Sequence, residues 1–508
     1  MNKIVNLLWG AMLKRHYKQI AFFMANPHEA QQRELMRILR LTKKTEWGKR
    51  YDFASIKNGR EWAARVPVQD YESVKGDIHR MMMGEKDVLW PGQVKNFAKS
   101  SGTTSDKSKY IPVPKENHKR GHVRGGWHLL SLMYHNLPNS TVFGGKTLVI
   151  GGSSEPFAAF PETTAGDVSA IILRNMPRIA KATHCPNMDI ALMPNFEEKL
   201  EKIAQIAVNE DIRMVAGTPT WIIVLLERIL AISGKKNIME VWEHFQIYVH
   251  GAVSFIPYRE RFRQLIPSDT FAYQETYNAS EGYFGIQSDF AVNDMLLLLD
   301  NGAFYEFLPM EEWDKEFPAA IQLDEVEVGK SYAILVTTNS GLFRYKIGDT
   351  VSFTSINPYR IKITGRTKQF INAFGEEVMV ANTDKALEKA CHATNTIVKE
   401  YTVAPIFFGD VQKGGHEWLI EFEKAPENVQ AFGDLLDKSL QSLNSDYEAK
   451  RFKNLALERL TLQAVPEGTF YRWMKQRGKL GGQHKVPRLS NQRDFVTQIK
   501  KMLATANS

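Results

Sequence analysis

A hydroxyl-rich segment around Gly102 contains the first residue types in the sequence that could do chemistry. Four hydroxyl side chains flank this glycine and two lysines follow: Ser100, Ser101, Thr103, Thr104, Lys107 and Lys109. Glycine lets the backbone approach a ligand closely, and successive backbone N–H groups in such a turn form an anion-binding concavity. The pattern therefore suits a polyphosphate, although it lacks the spacing of a Walker A loop. The alternative is a Ser/Thr-rich surface turn, because these residues are common in loops.

Two carboxylates stand beside glycines later in the chain. Glu281 lies in T-Y-N-A-S-E-G, and a carboxylate in such a loop could hold Mg²⁺ that arrives with phosphates. The alternative is a loop glutamate in solvent. Asp349 ends F-R-Y-K-I-G-D, and a strand that ends in Gly-Asp can present a carboxylate to a ribose diol. An aspartate in a plain β-turn is the alternative here.

Three histidines, His118, His122 and His128, lie on a helix predicted from Pro114 onward. His118 and His122 are spaced to share one helical face, which raises a metal site as a minor alternative. Basic residues surround them: Lys115, Lys119, Arg120 and Arg124. We therefore expect a solvated basic face, with anion contact as the other possibility.

The composition limits the class of protein. A chain of 508 residues predicts two or more domains, and a net charge of +8 fits an anionic small ligand better than a nucleic acid. Cys185 and Cys391 are far apart, which excludes a disulfide framework and favours the cytoplasm. No apolar run is long enough to span a bilayer. The N-terminal segment predicts an amphipathic helix packed on the body, with a membrane-surface helix as the alternative and no stable insertion. Helical apolar spacing over residues 20–41 predicts helix that is broken at Pro27.

The elements that must position these residues alternate between helix and strand, which indicates an α/β fold. We predict a strand over Ile247–Val253, and a helix over Trp221–Ile232 capped by Thr220. The runs at residues 295–299 and 303–308 predict a β-hairpin with an Asn-Gly turn. Thr383-Asp384 predicts the cap of a helix that starts near Lys385. The basic tail over residues 469–489 is interpreted as solvated, or as a mobile loop that delivers a lysine to a phosphate.

Four stretches and the terminal Q-H-K-V-P-R occur in a specific order: S-S-G-T-T, T-Y-N-A-S-E-G, F-R-Y-K-I-G-D and N-T-D-K-A-L-E. Together they resemble the Gretchen Hagen family of acyl acid amido synthetases, within the adenylate-forming superfamily of acyl-CoA ligases and luciferases. The resemblance extends from about Phe97 to Leu489. It implies a large N-terminal domain with a β-barrel and flanking sheets plus helices, and a small C-terminal α/β domain that closes over the site. We place these domains at residues 1–370 and 385–508, with a hinge at 371–384.

The resemblance also implies a two-step reaction. A carboxylic acid attacks the α-phosphorus of ATP, giving an acyl-adenylate and pyrophosphate, and an amino acid or other amine then displaces AMP to form an amide. The alternatives are a thiol acceptor such as coenzyme A, and a nucleotide-binding regulatory protein without activity. The acyl acid, the acceptor and the oligomeric state stay open, with a monomer favoured.

Residue roles follow from the matching motifs. Ser100, Ser101 and Thr104 would bind the ATP phosphates, Tyr277 would lie against adenine, and Asp349 would bind the ribose hydroxyls. Glu281 would hold Mg²⁺, and Lys385 and Lys485 would act in catalysis, the second delivered by the mobile domain. The remaining residues that we assign to the ATP site are Gly102, Thr103, Gly251, Ala252, Thr276 and Arg366.

Three features depart from the family pattern. Asp106 stands where the family's loop has a glycine, which adds a negative charge near the phosphates. Lys346 stands where the family has an arginine, so the charge is kept but the guanidinium fork is lost. The region after the phosphate loop has no plant-like pattern, and hormone specificity therefore does not transfer.

Overall fold

The structure is a computed structural model that describes residues 2–101, 108–176, 178–253, 255, 258–313, 315–366, 370–407, 413–454, 456–477 and 486–506. Helices and strands alternate through most of the chain, so the predicted α/β class is confirmed. No helix in the described part of the chain has the length and apolar character needed to cross a membrane.

The N-terminal region is helical, as expected. Its helices are α1 (Asn2–Ala25), α2 (Pro27–Thr42), α3 (Glu46–Arg50), α4 (Gly59–Arg65) and α5 (Tyr71–Met82). The break before Pro27 is where the sequence predicts it, because proline cannot continue a helix but suits its first turn. Leu13, Ile20 and Phe23 are fully buried, so α1 packs on the body of the protein.

The next part of the chain forms a small sheet and the helices around it. Its elements are β1 (Asn96–Ser101), β2 (Ser108–Pro112), α6 (Lys115–Asn117), a π-helical segment (His118–Val123), α7 (Arg124–Asn136), β3 (Lys146–Val149), β4 (Ser154–Phe157), β5 (Phe160–Gly166), α8 (Val168–Arg174), α9 (Arg178–Ala182), β6 (His184–Cys185), α10 (Met188–Ala191) and α11 (Phe196–Ala207). The small sheet has the order β2-β1-β5-β4. It holds the strands on either side of the hydroxyl-rich segment.

The central part supplies most of a large mixed sheet. Its elements are β7 (Ile212–Ala216), α12 (Pro219–Ser233), β8 (Ile247–Gly251), α13 (Arg259–Leu265), β9 (Ala272–Ala279), β10 (Gly282–Ile286), β11 (Met295–Leu297), β12 (Ala303–Pro309), β13 (Ser331–Thr338), β14 (Tyr345–Ile356) and β15 (Tyr359–Arg366). Short 3-10 helices connect some elements, at Val142–Gly144, Ile238–Glu240, Met310–Glu312 and Leu323–Glu325.

The large sheet joins an antiparallel part to a parallel part. The described strands pair in the order β12-β13-β14-β15-β11-β10-β9-β8-β7-β3-β6. Strands β9, β8, β7, β3 and β6 pair in parallel, and the others are antiparallel. A β-barrel was expected in the large N-terminal domain. The antiparallel strands lie in that domain, but the pairings between described strands form an open sheet and not a closed ring.

The predicted hairpin at residues 295–308 is wrong, because β11 pairs with β10 and β15 whereas β12 pairs with β13. Tertiary contacts hold the segment between them. The Asp300 carboxylate accepts hydrogen bonds from Arg124 at 2.6 Å and from His128 at 3.0 Å. Asn301 Nδ2 donates to the Tyr283 carbonyl at 2.9 Å. The Asn-Gly pair therefore lies in a crossover between distant strands.

The C-terminal part is a smaller α/β unit. Its elements are β16 (Phe370–Ile371), β17 (Val378–Met379), α14 (Val380–Thr394), β18 (Ile397–Ile406), β19 (Gly415–Lys424), α15 (Val429–Leu443), α16 (Ser445–Arg451), β20 (Thr461–Val465), α17 (Thr469–Gln476) and α18 (Asp494–Ala506). β18, β19 and β20 form a three-stranded sheet. Phe470, Trp473 and Met474 of α17 are buried, so this part of the basic tail is not solvated.

Two predicted helix starts are wrong. Thr218, not Thr220, is the N-cap residue of α12, because Pro219 occupies the first helical position, where no backbone N–H is needed. Helix α14 begins at Val380, ahead of the predicted Thr383-Asp384 cap. Its first turn is stabilised by the side chain of Asn382, which accepts a hydrogen bond from the backbone N–H of Met379 at 2.9 Å.

Candidate functional site

A cleft of about 2410 Å³ lies at the carboxyl ends of parallel strands β8 and β9. In open α/β sheets, ligands bind at this edge of the strands. Predicted site residues from distant parts of the sequence line the cleft together: Ser100, Ala252, Thr276, Tyr277, Glu281 and Asp349. Side chains of the C-terminal part, from Phe370 to Asp494, complete its wall.

Tyr277 and Asp349 contact each other among the residues that line the cleft. The Tyr277 hydroxyl donates a 2.5 Å hydrogen bond to Oδ2 of Asp349, and both side chains are buried. Asp349 follows Gly348, whose φ of +96° favours glycine. It also lies opposite Arg366 in the β14–β15 register, although the Arg366 side chain is outside the described set. The predicted base contact and the predicted ribose contact are thus neighbours.

The turn after β8 lies beside β9. Gly251 is paired with Thr276, and a Cβ added to Gly251 would lie 2.4 Å from the Thr276 carbonyl oxygen, so only glycine fits. Ala252 has a φ of +71°, an uncommon conformation for a residue with a side chain. Its carbonyl accepts a 3.2 Å hydrogen bond from Asn372 Nδ2. This turn therefore connects the central sheet to the predicted hinge.

Glu281 lies in the turn between β9 and β10 and is 7% exposed. The alternative of a glutamate in solvent is therefore wrong. A buried carboxylate requires compensating charge or hydrogen bonds. Oxygen ligands of this kind are those that Mg²⁺ prefers.

The hydroxyl-rich segment is only partly described. Ser100 lies on β1 opposite Lys109 of β2, and both line the cleft. The Lys109 ammonium lies 5.9 Å from the centre of the Tyr71 ring. The Ser101 backbone ends β1, but its side chain is not described. The other predicted residues here and in the tail lie outside the described residues: Gly102, Thr103, Thr104, Asp106, Lys107 and Lys485.

Lys385 is not brought into the cleft with these residues. It is exposed on α14, one position after Asp384, and is not among the residues that line the cleft. Asp384 accepts hydrogen bonds from Nη1 of Arg488 at 2.6 and 2.8 Å and from the Tyr401 hydroxyl at 2.7 Å. The two motifs that supply the predicted catalytic lysines are therefore joined at their aspartate and arginine.

Lys346, the departure from the family's arginine, also lines the cleft. Its ammonium donates a 2.7 Å hydrogen bond to the Trp313 carbonyl and lies 4.5 Å from the centre of the Trp313 ring. Lys346 thus makes one hydrogen bond and one cation–π contact with Trp313. An arginine at this position could instead make two parallel hydrogen bonds through its planar guanidinium.

The cleft residues that the sequence analysis missed include His250, Glu275 and Arg259. Burial, with a smaller contribution from Arg259, lowers the pKa of His250 to about 3. Burial raises the pKa of the Glu275 carboxyl above its ordinary value. His250 and Glu275 stand two positions before Ala252 and Tyr277, and the alternation of strand side chains was the pattern that could have indicated them.

The histidines of the π-helical segment and α7 do not form a solvated face. His122 is 3% exposed and His128 is fully buried, so that expectation is wrong for both residues. His128 lies between Asp300 and His16, at 3.0 Å from each. Nδ1 of His122 lies 3.0 Å from Oδ1 of Asn278, a cleft residue. Burial lowers the pKa of His122 to about 4, so its imidazole is neutral at physiological pH.

The predicted hinge is tied to both sides of the cleft. Glu376 is fully buried and accepts hydrogen bonds from the backbone N–H of Phe374 at 2.6 Å and from His416 at 2.8 Å. On the other side, the Tyr258 hydroxyl donates to the Ala373 carbonyl. The segment between β16 and β17 thus contacts the central part and the C-terminal part at once.

Sequence comparison finds three domains of one family along the chain. The GH3 family N-terminal domain matches residues 16–158 and 155–271, the central domain matches 296–366, and the C-terminal domain matches 381–494. The chain is 24% identical to indole-3-acetic acid-amido synthetase GH3.4 of Arabidopsis thaliana, over 94% of this chain and 91% of that protein. It is 23% identical to jasmonoyl–L-amino acid synthetase JAR4 of Nicotiana attenuata, over 90% of each.

Solved structures share the fold. GH3.15 acyl acid amido synthetase superimposes with a TM-score of 0.61 at 16% identity, over 97% of this chain and 96% of that chain. A 2-hydroxyisobutyryl-CoA ligase, in complex with 2-HIB-AMP and CoA in the thioesterification state, gives 0.59 at 13% identity, over 95% and 93%. Both structures confirm the fold expected from the sequence.

Proposed function

Since the chain belongs to the GH3 family, we propose that it is an ATP-dependent ligase that activates a carboxylic acid as an acyl-adenylate and transfers the acyl group to an amino acid or another amine. The observation that carries the proposal is the meeting of Tyr277, Asp349 and Glu281 in one cleft. Tyr277 and Glu281 come from one motif and Asp349 from another, and each would have a role in binding one nucleotide.

The cleft residues fit ATP and Mg²⁺. A carboxylate has several acceptor sites, so Asp349 can accept from the Tyr277 hydroxyl and from ribose hydroxyls together. No group of three or more His, Cys, Asp or Glu side chains in the described part of the chain could hold a metal ion. A single carboxylate completed by substrate phosphates is a usual arrangement for Mg²⁺, and we assign Glu281 to this role. When bound, the ion adds positive charge beside the phosphate oxygens.

In the first step, an oxygen of the substrate carboxylate attacks the α-phosphorus, and the bond to pyrophosphate breaks. Transfer at phosphorus needs positioning and charge stabilisation more than a covalent nucleophile. Ser100, Ser101 and the loop that follows would hold the phosphates, with Gly251, Ala252, Thr276 and Tyr277 around the base and Arg366 opposite Asp349. Lys385 and Lys485 would supply charge at the reacting phosphorus.

In the second step, the nitrogen of a neutral amine attacks the activated carbonyl carbon, AMP leaves with the electrons of the C–O bond, and the amine loses a proton. A thiol acceptor such as coenzyme A is the alternative for this step. Two arginines on the cleft wall, Arg259 and Arg263, would contact an anionic acceptor of either kind, whereas Arg493 is paired with Glu417. The carboxylate of an amino acid and the phosphates of coenzyme A both meet this condition.

We assign residues 1–370 to the domain that binds ATP and the acid, 371–384 to the hinge, and 385–508 to the mobile domain. Lys385 is outside the cleft in this arrangement, so its predicted role requires the C-terminal domain to rotate about residues 365–385 between half-reactions. Structures with ATP and with the AMP product should therefore differ in domain orientation. The same domain orientation in both structures would contradict the rotation.

We also place the protein in the cytoplasm as a monomer.

The test is pyrophosphate release from ATP and Mg²⁺ with indolyl, aryl and fatty acids, each with and without a mixed amino-acid pool. Acid-dependent release together with a new amide mass is the expected result. If pyrophosphate release depends on the acid but an acyl product forms only when coenzyme A is added, the acceptor is a thiol. ATP binding without release for any acid would overturn the enzymatic proposal in favour of a regulatory nucleotide-binding protein.

A further inference from the structure

Asn278 and His122 form a polar pair at the cleft that the roles assigned above do not use. Asn278 follows Tyr277 on β9 and lines the cleft, and its side chain is exposed there. His122 lies behind it on the π-helical segment, with its Nδ1 at 3.0 Å from Asn278 Oδ1. Single π-helical turns are frequent at functional sites.

A close approach of helix and hairpin makes this pair possible. A Cβ on Gly125, at the start of α7, would lie 2.1 Å from Cδ1 of Tyr283. Tyr283 is the β10 partner of Asn278 in the sheet register. Because glycine lets the helix lie directly on this hairpin, the short imidazole of His122 reaches the strand. A larger residue at position 125 would separate them.

The protonation of His122 decides which end of the Asn278 amide faces the cleft. Nε2 of His122 is buried and has no hydrogen-bond partner within the described residues. A buried N–H donor without a partner is rarer than an unpaired acceptor. The proton therefore belongs on Nδ1, which donates to Asn278 Oδ1. This bond fixes the amide so that its Nδ2 donors are directed away from the helix.

We propose that Asn278 Nδ2 donates a hydrogen bond to the carboxylate oxygen of the acid substrate, and that His122 is a positioning residue that fixes this orientation. Asn278 lines the cleft together with Tyr277 of the same strand and Glu281 of the turn that follows, so on the proposed function a donor there is near the place where the acid meets the α-phosphate. A neutral amide can orient a carboxylate without neutralising it, which leaves the attacking oxygen its charge. The inference rests on the proposed function and adds a contact for its first substrate.

Steady-state kinetics of acid-dependent pyrophosphate release test the contact. The acid is the one among indole-3-acetic, jasmonic, 4-hydroxybenzoic and octanoic acids that gives the highest wild-type rate. Asn278→Ala should raise the KM for the acid, or lower kcat/KM for it, by about 10-fold or more, as for loss of a hydrogen bond to a charged group. The KM for ATP should stay within about 2-fold. Asn278→Asp should be worse, because two carboxylates would then face each other.

The positioning role has separate readouts. His122→Phe keeps a ring but no donor, and should raise the acid KM without adding to the effect of Asn278→Ala in the double variant. The matched control is His135→Phe, on the exposed side of α7, where stacking on Tyr17 is retained. In ¹⁵N-histidine NMR spectra, the His122 resonance, identified by its loss in His122→Phe, should show the Nδ1–H tautomer.

Four results would overturn the inference. The first is wild-type kinetics for Asn278→Ala. The second is an effect confined to the KM for ATP, since the amide would then contact a phosphate. The third is the Nε2–H tautomer of His122, which would turn the Asn278 oxygen toward the cleft. A wild-type protein that releases no pyrophosphate with any acid overturns the proposed function, and this inference with it. Wild-type acid kinetics in the variants of an active protein would overturn this inference alone and leave the proposed function standing.

Discussion

The hydroxyl of Tyr277 and the carboxylate of Asp349 form a buried 2.5 Å hydrogen bond between residues 72 positions apart in the chain. Each residue belongs to a different sequence motif, and the strands that carry them are separated by β10, β11 and β15 in the sheet. The bond fixes a ring face and a carboxylate relative to each other. That is the relation a site needs if it binds the base and the ribose of one nucleotide.

Replacement of Tyr277 by phenylalanine tests this relation. Tyr277→Phe should lower the free energy of unfolding by about 1–2 kcal/mol and raise the KM for ATP, because a buried carboxylate loses a donor. Thermal melts and pyrophosphate-release kinetics measure both. Tyr110→Phe is the matched control, because the Tyr110 ring packs on Phe157 and its hydroxyl makes no hydrogen bond to any described residue. An unchanged KM for ATP in Tyr277→Phe would remove Tyr277 and Asp349 from the nucleotide site.

Loss of the Glu281 charge should strongly slow adenylation. Glu281→Gln keeps the shape of the side chain and should lower the rate of pyrophosphate release by about 100-fold or more, as for removal of one preorganised charge stabiliser. The required Mg²⁺ concentration should rise in a titration. Glu423→Gln, on an exposed position of β19, should leave both quantities unchanged. Wild-type Mg²⁺ dependence in Glu281→Gln would place the ion elsewhere.

Lys385 can be compared with a lysine on the same helix. Lys385→Ala should lower the adenylation rate by about 100-fold while the protein stays folded. Lys389, one turn later, is exposed and donates a 3.4 Å hydrogen bond to Ser442, so Lys389→Ala should keep full activity. Stopped-flow pyrophosphate assays on both variants separate the roles. Equal rates would mean that Lys385 is not catalytic.

A buried ion pair supports the strand that leads to Asp349. Arg344 lies 2.9 Å from Glu306, and its Nη1 also donates to the carbonyls of Ala63 and Val66 at 2.8 and 2.7 Å. Arg344→Met should lower the free energy of unfolding by about 3 kcal/mol or more, because it leaves a buried carboxylate uncompensated. The double variant with Glu306→Leu should recover part of the loss. Denaturant melts of the three variants measure this, and a full loss in the double variant would argue against the explanation.

His122 predicts a loss of stability in acid. Burial lowers its pKa from 6.5 to about 4, so between these values the unfolded chain binds more protons than the folded chain. Stability is then complete above about pH 6.5 and falls as the pH decreases toward 4. By linkage, His122 alone should account for a loss of about 2 kcal/mol between pH 7.5 and pH 5. In denaturant melts, His122→Phe should lose less unfolding free energy than the wild type over this pH range. The control His392→Phe, at an exposed position of α14, should lose as much as the wild type.

The sequence by itself determined the fold class, the break at Pro27, the strand before Gly251 and the order of the motifs, because these depend on local patterns and on residue types at fixed spacing. It identified Tyr277, Glu281 and Asp349 one motif at a time. Only the tertiary structure decided that Glu281 is buried, that Tyr277 bonds Asp349, and that His122 supports Asn278. It also replaced the expected hairpin with a crossover, because the partners of Asp300 come from a helix far away in the chain. Burial and long-range pairing depend on which surfaces meet, and no local pattern encodes that.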